Sequence, residues 1–86
     1  MVYSPDKSII QLITIENVYE ITKSDDDDLT FNTIAIYVGV TGNLRILDIN
    51  GNEVILKNLA SGLWHPIRAK KVFSTNTTVT DIVGAY

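Results

Sequence analysis

The chain contains no cysteine. Disulfides are thereby excluded, and so is a Cys/His zinc centre, because the single histidine, His65, cannot build one alone. Basic residues are in the minority, with seven Lys and Arg against ten Asp and Glu and a net charge of −3. That balance argues against nucleic acid or an anionic membrane as a partner. No run of about 20 apolar residues is present to span a bilayer as a helix. The opening MVYSPDKSIIQLITIE lacks a basic start, and Gln11 and Thr14 interrupt its apolar stretch, so no secretory signal is expected. Without export, the glycosylation pattern Asn76-Thr77-Thr78 reads as a chance match.

What remains is short and β-rich. The 86 residues allow a single domain over residues 1–86, with residues 1–8 as an extended N-terminal arm. A chain of this size buries only about 60% of the surface its unfolded form exposes, so its margin of stability is thin. With disulfides and metal excluded, oligomerisation is the remaining support.

Val, Ile and Thr dominate the apolar segments and favour a pleated surface over a helix. Ile9, Ile13, Ile15, Tyr19 and Ile21 alternate with mostly polar neighbours, which predicts one long strand or two with a bend near Asn17. IAIYVGV (34–40) reads as a buried strand. LRILDI, Asn50-Gly51 and NEVILKNL read as a hairpin. A two-residue turn would pair Leu47 with Val54 and set Asp48 against Glu53 at an exposed tip. In LWHPIRAKKVF, Ile67, Ala69, Lys71 and Phe73 fall on one side and Arg68, Lys70 and Val72 on the other, with Pro66 marking the strand's start or an edge. STNTT is a loop, and VTDIVGAY is the last strand. The expectation is an all-β fold of about six to eight short strands, a small antiparallel, jelly-roll-like sandwich or barrel.

Catalysis finds no footing in these residues. His65 has no nucleophile or orienting partner in any triad pattern, and no phosphate loop, carboxylate pair or cofactor motif occurs. The expectation is a non-enzymatic protein without cofactors. The run Asp25, Asp26, Asp27 and Asp28 is a weak metal candidate. It lacks the alternating ligands, central Gly and closing Glu of a calcium loop, so a solvated loop is the plainer reading. Trp64, His65, Arg68 and Lys70 have the aromatic and cationic character of a protein interface. Ile10 and Leu12 join them: they fall on the polar-parity side of an otherwise apolar segment, so both faces of Ile9–Ile13 need cover.

The order SDDDDL, then Tyr37-Val38-Gly39 with Gly42, then Asn50-Gly51 resembles the small virion proteins known as spike base proteins of gene transfer agents and tailed phages. The likeness continues through Gly62 to Pro66, the basic strand Arg68 to Val72, the loop Thr75 to Thr78, and Asp81-Ile82-Val83. It spans about residues 21–84 and rests on order and spacing together. Asn76 stands where that family usually has Gly, a substitution that keeps access to positive φ. Residues up to about Thr22 have no counterpart in the pattern. The resemblance implies a structural subunit of the virion, assembled in the host cytoplasm. It would form a homo-pentamer or other ring, bind the capsid protein, and act as an adaptor for a spike or fibre. The competing reading is a carbohydrate or host-surface binding module, with Trp64 as a stacking platform and the Asp25–Asp28 loop holding calcium.

Overall fold

The computed structural model describes residues 14–86. Its strands are β1 (Val18–Glu20), β2 (Ala35–Val40), β3 (Gly42–Asp48), β4 (Glu53–Leu59), β5 (Trp64–His65), β6 (Ala69–Val72) and β7 (Thr80–Ala85). They form two antiparallel sheets, ordered β1-β7-β2-β5 and β4-β3-β6. No helix occurs among the described residues. The expected all-β sandwich is therefore what forms, as two facing sheets and not a closed barrel.

Alternation builds the core between the sheets. Ile36 and Val38 on β2, Leu44 and Ile46 on β3, and Ile82 on β7 all point inward, joined by Ala69, Val72, Val79 and Ile21. Each fully buried Val, Leu or Ile contributes about 1.5–3 kcal/mol of transfer free energy. β2 passes straight into β3 through Thr41, so the chain changes sheet there without a wide loop. Gly42 permits that passage: a Cβ on it would lie 2.5 Å from Thr78 Oγ1 and 3.1 Å from the Val79 nitrogen.

The structure corrects the expected strand pattern at two places. The hairpin register runs Leu47↔Glu53, Ile46↔Val54 and Leu44↔Leu56, one residue away from the two-residue-turn register. The loop has three residues, with Gly51 N–H donating to Asp48 O (3.0 Å), Asp48 N–H to Asn52 O (2.9 Å), and Gly51 at φ +88. This is the type I turn with a left-handed glycine, in which only the second residue of Asn-Gly needs positive φ. Asp48 consequently does not face Glu53. Its carboxylate instead accepts from the Asn50 and Asn52 N–H groups at 2.8 and 2.9 Å.

The second correction concerns β6. Asp48 pairs with Ala69 but Leu47 pairs with Lys71, so Lys70 is an extra residue in a bulge. The bulge resets the side-chain parity, and Ala69 and Val72 both reach the core.

The outer edge of β6 is sealed by the β1–β2 connection. Ser24, Leu29 and Thr33 donate their backbone N–H groups to Val72 O (2.9 Å), Lys70 O (2.7 Å) and Ala69 O (3.0 Å). Covering an edge in this way blocks strand addition there. At the opposite side of the same sheet, β4 has no strand beyond it among the described residues.

Candidate assembly interface

Trp64 and His65 form β5, the edge of the first sheet, paired with Tyr37 and Ile36. Pro66 then redirects the chain to the second sheet through a tight turn closed by Ile67 N–H to His65 O (2.8 Å). The reading of Pro66 as a strand boundary at an edge holds. Trp64 is half-buried against Tyr37, ring centroids 5.5 Å apart and tilted by 52°. The His65 ring places Nε2 2.8 Å from Ala60 O, where an Nε2–H donates. Pro66 thus separates the interface candidates: Trp64 and His65 stay in one sheet, whereas Lys70 belongs to the other and Arg68 immediately precedes it.

Arg68 is exposed and borders a groove described below; its carbonyl accepts from Ile49 N–H at 3.3 Å. Lys70 is the half-buried bulge residue whose carbonyl takes the Leu29 N–H. The cations with clear partners lie elsewhere. Arg45 packs 4.0 Å from the Phe73 ring centroid and bonds Glu53 Oε2 through Nε (3.1 Å) and Nη2 (3.0 Å). Lys71 Nζ lies 3.7 Å from Asp28 Oδ1.

The four aspartates diverge. Asp25 turns onto the Thr-rich loop, accepting from the Ser74 and Thr75 N–H groups (3.0 and 2.9 Å) and the Thr75 hydroxyl (2.5 Å). The Thr75 hydroxyl, followed by its N–H, holds the Asp25 carboxyl below the ordinary carboxylate range. The Asp26 and Asp27 N–H groups donate to Ser24 Oγ, leaving their side chains outward. Among the described residues no three His, Cys, Asp or Glu gather as metal ligands.

The Thr-rich loop closes on itself through Thr77 N–H to Ser74 O (3.4 Å), and its hydroxyls reach other elements. Thr77 and Thr78 present their hydroxyls to the Arg45 and Asn43 N–H groups (3.0 and 2.8 Å), tying the loop to β3. Asn76 sits at φ +67, the conformation expected of it.

Sequence reasoning missed three features. Thr33 lies in the core and bridges Ile67 and Ala69 through its hydroxyl. Tyr19, Phe31 and Tyr86 form an aromatic cluster, with the Phe31 and Tyr86 rings stacked at 4.0 Å and Tyr19 edge-on to both. Burial pushes the Tyr19 phenol above its ordinary range, opposed by its bond to Phe31 O. These partners lie far apart in sequence, so no local pattern marks them.

The third is the inner face of the β3–β4 hairpin. Val54 points the same way as core residue Ile46, opposite it, yet is 44% exposed, and Ile49 at the tip is 42% exposed. Ile46, Ile49, Leu56, Pro66 and Ile67 line an open groove of about 340 Å³ beneath them. The candidates Ile10 and Leu12 lie outside the described residues.

Among known proteins, no family model and no curated protein matches. A solved structure does: a chain in the "Capsid of native GTA particle computed with C5 symmetry" superposes with a TM-score of 0.78 at 30% identity, covering 100% of both chains. The sandwich is thus of a kind found in virion structural proteins. The chain belongs to the same family as that chain of the gene-transfer-agent capsid.

Proposed function

We propose that this chain is a non-enzymatic subunit of a phage-like particle, forming a ring at capsid vertices as the base on which a spike or fibre sits. The observation that carries this reading is the full-length match to a chain of a capsid solved with five-fold averaging. A pentamer suits such a site, because a ring on a vertex shares its symmetry. Its partners are then other copies of itself, the capsid protein and the spike or fibre protein, and its place is the virion, reached after assembly in the host cytoplasm. The β-sandwich suits the role by presenting exposed apolar side chains such as Leu63, 56% exposed beside β5.

Mass measurement in solution, with and without the capsid protein, tests the ring: a 9.5 kDa monomer under both conditions rejects it. Imaging of particles assembled without this chain tests the adaptor role. Closed shells lacking vertex spikes are expected, and shells with normal spikes would reject it.

A further inference from the structure

The open edge and the uncovered groove belong to one hairpin. On β3, odd-numbered residues direct their backbone groups toward β6, as shown by Phe73 N–H donating to Arg45 O (2.9 Å) and Thr77 Oγ1 accepting from Arg45 N–H (3.0 Å). Even-numbered residues of β3 therefore bond β4. With Ile46 opposite Val54 and Leu44 opposite Leu56, the backbone groups of Glu53 and Ile55 point away from the sheet. Below that row of outward groups lie the exposed side chain of Val54 and the groove lined by Ile46, Ile49, Leu56, Pro66 and Ile67. An extended peptide with apolar side chains on its inward face fits both features at once.

The same chain carries such a peptide. Ile9-Ile10-Gln11-Leu12-Ile13 is rich in β-branched residues and apolar on both faces, and it lies before the first described residue. It leads into β1, which edges the first sheet, and the connection after β1 seals β6. β1 and β6 thus share one side of the sandwich, while β5 and β4 share the other. Reaching a strand position beyond its own β4 requires crossing about 14 Å of strand spacings and about 10 Å between sheets. From Val18 to Ile13 a fully extended chain covers at most about 18 Å. A straight line through the core already consumes nearly all of that, and the path around the molecule is longer. The β4 of a neighbouring copy carries no such limit of reach.

We propose that β4 of each subunit receives Ile9–Ile13 of an adjacent copy as an added strand, with Ile10 and Leu12 seated in the hairpin groove. Donor and acceptor sit on opposite sides of the sandwich. The contact is head-to-tail, the kind that closes into a ring when the rotation allows. This rests on the ring proposed above, and the two fail separately.

Because the chain has no native cysteine, the contact can be trapped cleanly. Chains bearing Leu12→Cys or Ile10→Cys are mixed with chains bearing Val54→Cys and oxidised. Covalent dimers are expected in a mixture, and not when Asp81→Cys, exposed on β7, replaces Val54→Cys. A disulfide within a single doubly substituted chain, running as monomer, would overturn the proposal in favour of self-docking. Rings by native mass with no such link in any mixture would overturn the β4 assignment and leave the ring standing. Wild-type monomers throughout would remove both. Ile55→Pro supplies the complement, since residue 55 directs its N–H outward and the β3–β4 ladder survives its loss. Association should weaken about tenfold or more with the monomer's far-ultraviolet spectrum unchanged. Association as tight as wild type would overturn strand addition.

Discussion

Thr33 and Ala69 hold each other by two hydrogen bonds of opposite sense. The Thr33 N–H donates to Ala69 O, and the Ala69 N–H donates to Thr33 Oγ1, both at 3.0 Å. The same hydroxyl donates to Ile67 O at 2.8 Å. Thr33 is 1% exposed, so water cannot replace these bonds. Thr33→Val should cost about 1–3 kcal/mol for each buried group left unpaired. Thr33→Ser keeps the hydroxyl and should cost about 1 kcal/mol or less for the lost methyl. Urea denaturation of the two variants measures the difference; equal losses would show that the hydroxyl does not matter.

Acid should loosen the Thr-rich loop. Asp25 and Asp48 both titrate below the ordinary carboxylate range, Asp25 chiefly because of the Thr75 hydroxyl and Asp48 chiefly because of the Asn52 N–H. A carboxyl whose folded value is depressed contributes stability above its unfolded value and loses it as pH falls through the folded one. The loss therefore begins below about pH 4. Thermal melts of wild type and Asp25→Ala should converge as pH is lowered from 7 to 2. A constant gap across that range would contradict the Asp25 clamp.

Gly42 is the tightest point of the sheet change. Gly42→Ala must displace Thr78 Oγ1, which accepts from Asn43 N–H, and the backbone at Val79, whose N–H donates to Asn43 O. A loss of about 1–3 kcal/mol is expected from this overpacking. Gly51→Ala meets nothing within 4 Å, and its cost is the left-handed backbone alone, about 1 kcal/mol. Equilibrium unfolding ranks the two, and Gly42→Ala should be the worse.

Removing residues 1–15, or replacing Ile10 and Leu12 with Lys, should abolish ring formation while leaving the amide resonances of Asn50 and Gly51 in place. Normal incorporation of both variants into particles would mean that the arm takes no part in assembly.

Strand existence was legible because it depends on composition and period. Ile34–Val40 and the final VTDIVGAY needed only their β-branched residues to declare themselves, and the structure places β2 and β7 there. Register was less legible. Asn50-Gly51 marks a turn, but loop length depends on whether Asn50 also adopts positive φ, and Asp48 settles this by capping Asn50 and Asn52. The Lys70 bulge was invisible to any strict period of two. It is created by pairing with Leu47 and Asp48 on another strand. Of the proposed interface, the sequence offered Pro66 as a strand's start or an edge and an exposed hairpin tip, but the exposure of Val54 has no local signal: its alternation with its neighbours reads the same whether or not the opposing sheet covers it.

The connectivity has a temporal consequence. Among the described strands, β3 and β4 are the only neighbours in sequence that are also hydrogen-bonded neighbours; β7 separates β1 from β2. The hairpin can form within microseconds of leaving the ribosome, whereas β1 and β2 have no common partner until residues 80–85 emerge. Non-local pairing of this kind folds in milliseconds to seconds. A nascent or truncated chain ending before Thr80 therefore has half a sandwich and no way to complete it. The first sheet closes only when the last strand has been made.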